Sequence, residues 1–594
     1  MSDIHFGNSV GRTPTVKVPM ALKSITGKMP LIDAVFVVGD LTDGGTPAQY
    51  DQLVSVFSDK ANIPDSVDVY YLMGNHDHFA ANGQANYINK LKQPLNQYII
   101  IKDYPFITVS QTGTGNRDYN AEAQAFLSEK LADATRTYPG KPVFVFFHVP
   151  PLNTCYGSSS TDGWGSDILL PILNGYPRAI VFSGHSHFPL GDPRSIHQDK
   201  FTAVNDGSTT YSEIEPNAVN AGIHPENYEN ITEAVIVNVM KNGNVEMERW
   251  DTYRNEPIEP RWTVEAPHDG SRFVYKGRNG MPAPAFTVMD KPVVTGGEES
   301  CTLTFPQATD NEAVHHYLIE LADEDGIAAA SYRKFSQFYL NSQMPASLTA
   351  TIFGLPGEKK LTAQVTAVDS YGNRSAPLAS EPFTLSSAPE PELAASWLFD
   401  DASDLKKATA GTDLIFAEAG GPITSAAGPD DGNKAIRIPV GSYLKAVHGL
   451  SAVGGQKVNA YSILMDFKIP ATGVWYTFFQ TDLMNMDDGE LFVHKDSGTI
   501  GVGALGYSPD AIKADRWYRM VIVALNDTYC KIYLNGVLFH EGNGAVIDGR
   551  HALNVEGILF CADNDREDSE LDLSEIRIWD RPLNAEKVKS LGGY

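Results

Sequence analysis

Four short apolar runs divide the first third of the chain: Ala34 to Val38, Val69 to Met73, Val143 to Phe147 and Ala179 to Phe182. Each is rich in β-branched or aromatic residues and lacks strict alternation, the pattern of a strand buried on both faces in a parallel sheet. A polar motif follows each run: Gly39-Asp40, Gly74-Asn75-His76-Asp77, His148, and Gly184-His185-Ser186-His187. A further motif, Asp3-Ile4-His5, opens the chain. Open α/β sheets bind ligands beyond the carboxyl ends of their strands, so the pattern gathers these polar groups at one sheet edge.

Helical patterns lie between the runs. Thr46-Pro47-Ala48-Gln49 combines a capping box with proline at the first helical position, and Tyr50, Leu53, Val54 and Phe57 then share one face. Asn120 starts a second helix with Ala123, Phe126, Leu127 and Leu131 inward. The segment from Pro150 to Gly165 is rich in Gly and Ser and carries Tyr156 and Trp164; a pocket-shaping loop and a solvated surface loop both fit it. Strands over Phe201 to Val204, Ala234 to Val239 and Val245 to Arg249 follow, with a hairpin turn at Lys241-Asn242-Gly243, and finish an α/β unit over 1–280.

From 281 to 387 the period changes to two. Strands are expected at Ser300 to Phe305, Val314 to Leu321, Leu348 to Ile352 and Leu361 to Val368; in the last, Leu361, Ala363, Val365 and Ala367 face one way. Residues 388–392 continue a Ser- and Pro-rich linker, and 393–594 read as another all-β unit.

Composition narrows the function. No apolar run reaches about 18 residues, so no membrane-spanning helix is expected. Net charge is −27 with no basic block, which argues against nucleic acid or an anionic membrane as standing partner. The four cysteines, Cys155, Cys301, Cys530 and Cys561, show no zinc spacing; Cys530 and Cys561 are compatible with a disulfide or with two free thiols.

The chemistry therefore rests on the motifs. Carboxylates, an amide and imidazoles without thiolates suit Mn, Fe or Zn, and a carboxylate can bridge two such ions. A pair roughly 3.5 to 4 Å apart would clamp a phosphoryl group and activate a shared water, so the reading is hydrolysis of a phosphoester small molecule. Singly, a histidine after a strand or a Gly-Asp turn is commonly structural. Five motifs at strand ends jointly are not.

The order D-x-H, G-D, G-N-H-D, H, G-H-x-H resembles the calcineurin-like metallophosphoesterase superfamily. That resemblance implies two mixed sheets flanked by helices, one ion held by Asp3, His5, Asp40 and His187, and a second held by Asp40, Asn75, His148 and His185. It implies a metal-bridging water as nucleophile, His76 as the catalytic histidine facing the leaving group, and Asp77 orienting the His76 ring. His78 and His197 match no family position. Purple acid phosphatases carry a Tyr three residues after the Gly-Asp aspartate, where this chain has Asp43. Gly39-Asp40-Leu41-Thr42-Asp43-Gly44 and the helix with Tyr50 look more like the class III cyclic-nucleotide and glycerophosphodiester phosphodiesterase branch, hence a diesterase. The family also runs several apolar residues into D-x-H, and here they are missing, so loose backbone support is expected at Asp3 and His5.

The second unit resembles a fibronectin type III module. In the third, Trp397-Leu398-Phe399-Asp400, Lys531-Ile532-Tyr533-Leu534-Asn535-Gly536 and Ile576-Arg577-Ile578-Trp579 resemble a LamG or concanavalin-like jelly roll, with a glycan as its implied partner. Such modules imply a secreted, periplasmic or cell-surface bacterial protein, although no signal peptide is visible in this chain. The competing readings are a glycan-binding surface protein with a vestigial phosphatase domain, and a phosphomonoesterase or nuclease of the same superfamily.

Overall fold

The computed structural model describes residues 1–8, 14–215, 222–297, 299–386, 389–485, 489–503, 505–543, 545–564 and 567–594. Its first region contains, in chain order, α1 (Pro14–Lys28), β1 (Ala34–Val38), α2 (Pro47–Ser58), β2 (Asp68–Leu72), α3 (Gly83–Leu91), β3 (Asn96–Ile101), β4 (Tyr104–Val109), α4 (Ala121–Thr137), β5 (Val143–Phe146), β6 (Ala179–Ser183), β7 (Ile196–Gln198), β8 (Thr202–Asn205), β9 (Glu233–Val239), β10 (Val245–Asp251) and β11 (Glu256–Val264).

Strands β4, β5, β6 and β8 are parallel neighbours, flanked by antiparallel β3 and β7. Two of the four apolar runs, at β5 and β6, lie in this mixed sheet, and the other two, at β1 and β2, do not join it. Strands β1 and β2 form a separate parallel pair, and β9, β10 and β11 an antiparallel meander. Val38 and Leu72 meet Phe144, Phe146, Ile180 and Phe182 of the six-stranded sheet and Val245 and Met247 of the meander in one core. Between β1 and β9 lies a cavity of about 340 Å³, lined by Ile25 of α1, by Met29 just beyond it, and by Phe36, Phe106, Phe144 and Phe146.

Local signals decide the helix starts. Thr46 caps α2 through the Gln49 amide, and Gln49 returns the bond, completing the capping box with Pro47 in the first turn. Tyr50, Leu53 and Phe57 are buried, but Val54 is 37% exposed: at one residue past Leu53 it has rotated off the packed face. Asn120 caps α4, which buries Ala123, Leu127, Leu131 and Ala134.

The first six residues are not loosely held. Val38 N donates to Met1 O at 2.9 Å, Asp3 N to Gly39 O at 3.2 Å, His5 N to Asp40 O at 3.0 Å and Phe6 N to Leu41 O at 3.1 Å. This parallel ladder beside β1 and the turn after it supports Asp3 and His5, correcting the expectation of weak support.

In the second region a three-stranded sheet (293–296, 301–306, 347–352) and a five-stranded sheet built on Val314–Asp323, Ala328–Phe335 and Lys360–Asp369 share one core. Leu361, Ala363, Val365 and Ala367 are all fully buried there, as their alternation predicts. Residues 387 and 388 of the expected linker lie outside the described residues. The third region is almost wholly β, with a core that includes Trp397, Tyr461, Phe478, Phe479 and Phe560. Cys530 and Cys561 are buried free thiols and not a disulfide, as are Cys155 and Cys301. Among the described residues no helix is long and apolar enough to cross a membrane.

Candidate metal centre

The motifs meet at the carboxyl ends of β1, β2, β5 and β6 because those strands run in parallel within their sheets and the two sheets share a core. Two glycines make room for the meeting. A Cβ on Gly74 would fall on Asp40 Oδ1 and the His148 ring, and one on Gly184 would fall on Ser2 Oγ and Asp3 Oδ2. Close approach therefore requires glycine ahead of each motif.

One potential ligand atom each from Asp3, His5, Asp40 and His187 lies within 4.8 Å of the others, and the same holds for Asp40, His148 and His185. Asp40 belongs to both groups, and every one of these side chains is buried. His187 Nε2 is 3.1 Å from Asp3 Oδ1 and 3.2 Å from His5 Nε2, while His148 Nε2 is 3.2 Å from Asp40 Oδ2. Asn75 sits at the rim, and the amide of the next residue, His76, donates to Asp40 Oδ1 at 3.0 Å.

Backbone conformation marks the same residues. Asp3 (φ 53°), His5 (φ 38°), Asp40 (φ 49°), His185 (φ 71°) and His187 (φ 57°) all lie in the left-handed region. Such conformations cost on the order of 1 kcal/mol or more each for residues with a Cβ and concentrate at functional sites.

The local hydrogen bonding leaves two candidate ligand atoms without a partner. His148 donates Nδ1–H to Val38 O at 2.9 Å, which fixes its tautomer and presents the Nε2 lone pair to the centre. His148 Nε2 and Asn75 Oδ1 are buried with no protein hydrogen-bond partner. Buried polar atoms are nearly always satisfied, so these orphans point to a ligand. Nitrogen and oxygen donors around a shared carboxylate fit divalent cations.

Electrostatics agree. Burial alone would raise the Asp3 pKa, yet the adjacent His187 and His148 hold it down at about 2. Burial would lower His148, yet Asp40 and Asp3 push it up to about 10. The two carboxylates thus favour positive charge at this spot, which divalent cations would supply. His185, buried and beside His148, is pushed down to about 3, which keeps it neutral, as metal ligation would require.

His76 is a quarter exposed and stands at the mouth, with Nε2 4.0 Å from Asp40 Oδ2. Its Nδ1 faces Asp43, at 3.1 Å from the carbonyl oxygen and 3.7 Å from Oδ1. The expectation that Asp77 orients this ring is corrected. The Asp77 carboxylate accepts from Leu41 N, Thr42 N, Thr42 Oγ1, Tyr50 Oη and Gly74 N, and so ties the two ligand-bearing turns together. Asp43 also lies 3.4 Å from His5 Nδ1, a double contact that no sequence spacing announces. His78 Nε2 is spent on Gln111 O at 2.8 Å.

Three more residues join from distant loops. Asn116 Oδ1 is 3.1 Å from His185 Nε2 and its amide reaches Gly163 O at 3.1 Å, linking the centre to the Gly/Ser-rich loop. Trp164 of that loop stands edge-on to the His185 ring at 5.4 Å, which answers the pocket-or-solvent alternative in favour of a wall of the site. Tyr211 packs on His187 at 4.3 Å between ring centres.

Residues 1–189 match the family model of the calcineurin-like phosphoesterases. A protein from Arcobacter nitrofigilis named "Probable glycerophosphodiester phosphodiesterase GpdQ" is 24% identical over 210 residues, covering 32% of this chain and 70% of that protein. Among solved structures, domain 4 of AbnA, a GH43 extracellular arabinanase from Geobacillus stearothermophilus, is 21% identical with a TM-score of 0.28; the match spans 34% of this chain and all of that one. The receptor-binding domain of botulinum neurotoxin D is 15% identical with a TM-score of 0.26, spanning 34% of this chain and 52% of the other. Likeness at that level says nothing of ligands. The phosphoesterase domain makes the chain a hydrolase acting on phosphoester bonds, with a buried Asp/His cluster able to hold metal.

Proposed function

We propose that the chain is a dinuclear metal-dependent phosphodiesterase. The observation that carries this reading is the pair of donor groups joined by Asp40, together with the orphaned His148 Nε2 and Asn75 Oδ1. Asp3, His5, Asp40 and His187 would hold one ion, and Asp40, Asn75, His148 and His185 the other. Bound there, two divalent cations supply Lewis acidity to the phosphoryl oxygens and lower the pKa of a water.

The chain's own groups supply the rest. His76, anchored through Nδ1 on Asp43, turns Nε2 toward the centre and is placed to give a proton to the departing alkoxide. Asp77 braces the Leu41–Thr42 and Gly74 turns, so Asp40 and Asn75 keep their relative positions. Asp43, about a third exposed and acidic, adds negative charge beside His5 and His76. A monoester brings nearly two negative charges and a diester one, so Asp43 favours the diester.

We assign residues 1–280 to this catalytic unit, 281–387 to a fibronectin type III-like module and 393–594 to a LamG-like module. Support comes from the separate cores around Ile319 and Val365 and around Ile463 and Phe560. The test is kcat/KM of the Mn²⁺-loaded protein for bis(4-nitrophenyl) phosphate against 4-nitrophenyl phosphate. A diester preference is expected; a clear monoester preference overturns the diesterase reading.

A further inference from the structure

A third set of donor atoms stands beside the two groups that share Asp40. His5, Asp43 and His76 each bring one potential ligand atom within 4.8 Å of the others, His5 buried and the other two half-buried. Asp43 Oδ1 lies 3.4 Å from His5 Nδ1 and 3.7 Å from His76 Nδ1. Two atoms bound tetrahedrally to one zinc ion, each at about 2.1 Å, stand roughly 3.4 Å apart. The spacing is that of shared coordination, and it is longer than the roughly 2.8 Å of a charge-assisted hydrogen bond.

The hydrogen bonds point the same way. His5 Nδ1 is buried and has no hydrogen-bond partner among the described residues, although a carboxylate stands beside it. A carboxylate that served only to orient the His5 ring would accept that N–H. Asp43 Oδ1 instead accepts from the Asn8 side-chain amide at 3.2 Å, and His76 Nδ1 turns to the Asp43 carbonyl oxygen at 3.1 Å. Backbone bonds sew together the turns that carry these groups: Asn8 N donates to His5 O at 2.9 Å and Asp43 N to Phe6 O at 3.0 Å. The main chain thus holds the donors at their spacing, and a flip of the Asn8 amide presents its oxygen as a fourth.

The geometry points to an outer zinc site made by His5 Nδ1, Asp43, His76 Nδ1 and Asn8. Two imidazoles, a carboxylate and an amide within reach of solvent suit zinc, which takes nitrogen and oxygen ligands tetrahedrally. On binding, zinc replaces the Nδ1 proton of His5, and that proton leaves to solvent. His5 then serves the inner centre through Nε2, which lies 3.6 Å from Asp40 Oδ2, and the outer ion through Nδ1. The same ion draws His76 Nδ1 off the Asp43 carbonyl. A ring coordinated there cannot become the imidazolium that gives up a proton, so the outer site is inhibitory. That consequence rests on the dinuclear phosphodiesterase reading; the outer donor set does not.

Zinc stoichiometry is the test. Elemental analysis of the full chain, dialysed against rising free zinc, should show two ions bound first and a third at about tenfold higher zinc, because the outer site has one carboxylate and lies beside two dications. Asp43→Ala and His76→Phe should each hold one ion fewer than the wild type at excess zinc. A wild-type chain that stops at two ions, or a third ion that survives both substitutions, overturns the outer site and leaves the inner pair standing. A single ion that Asp43→Ala removes and His148→Ala spares upholds the outer site and defeats the dinuclear reading. In parallel, filling the third site should slow wild-type hydrolysis of bis(4-nitrophenyl) phosphate about tenfold or more. That zinc response should be missing from Asp43→Ala, whatever its starting rate, and equal slowing of both proteins overturns inhibition through this site.

Discussion

His148 in the first region and His448 in the third are both fully buried, yet they are held in opposite ways. His448 has both ring nitrogens in use: Nε2 lies 2.8 Å from Asn554 O, and Nδ1 accepts from Leu450 N at 3.0 Å. His148 has one nitrogen on Val38 O and the other bare before Asp40. Their wider surroundings differ in the same sense. In the third region the buried carboxylates of Asp466 and Asp572 are closed off by Arg519 and by Arg437 and Lys468, whereas around His148 like charges crowd together and demand a cation. Burial alone does not separate a structural histidine from a candidate ligand; the unfinished hydrogen-bond inventory is what marks His148 as a candidate.

The strongest challenge to that contrast is Asp40→Ala. The shared carboxylate serves both donor groups, so elemental analysis should show both ions lost, and hydrolysis of bis(4-nitrophenyl) phosphate should fall by about 10³-fold or more. Two ions retained in the variant would break the claim that Asp40 joins the sites. Next in size, His76→Ala should keep the metals and lower turnover by about 10² to 10⁴-fold, while His148→Ala should lose metal; the reverse pattern would exchange their roles.

His448→Ala sharpens the comparison from the other side. It should leave metal content and kcat unchanged and cost about 1–3 kcal/mol of stability, because Asn554 O and Leu450 N lose their partner. Chemical denaturation reads the loss, and a drop in kcat would contradict a purely structural role.

The most gradual effect, spread over several pH units, concerns Glu233. Glu233 is fully buried, and burial pushes its carboxyl up to about 8. A folded pKa above the unfolded value means that the folded state holds the proton more tightly, so this stabilisation is complete below about pH 4.5 and is lost as pH rises toward 8. The wild-type protein should therefore lose stability between pH 5 and 8 by on the order of a few kcal/mol, and Glu233→Gln should flatten that slope in calorimetric scans. An unchanged slope would mean that other groups set it.

The sequence was most readable where chemistry and geometry are local. Strand β1 matches its apolar run residue for residue, and the Thr46 and Asn120 caps start their helices as their side chains dictate. Helix α1 escaped because Pro19 interrupts it and because Lys17 breaks its apolar face; Lys17 is fully buried, an arrangement visible only once Thr210 and Ile231 arrive to accept its bonds. Asp40, Asn75, His148, His185 and His187 were legible because each follows a strand, whereas Asp3 and His5 have no strand before them and were legible only through the D-x-H motif. Asn116, Trp164 and Tyr211 were not legible as neighbours of those ligands, since loops distant in the chain bring them there. The misplaced role of Asp77 has the same origin: adjacency to His76 suggested a contact that the 3₁₀ turn over His76–His78 directs elsewhere.

The five left-handed candidate ligands also carry a cost in stability. At on the order of 1 kcal/mol each, their combined strain is comparable with the whole net stability of an ordinary domain. Glycine, and to a lesser degree asparagine, adopts that backbone region more readily. Replacing Asp3, His5, Asp40, His185 or His187 by glycine would relieve backbone strain at that position. The fold thus holds Asp or His at five positions where glycine would cost it less.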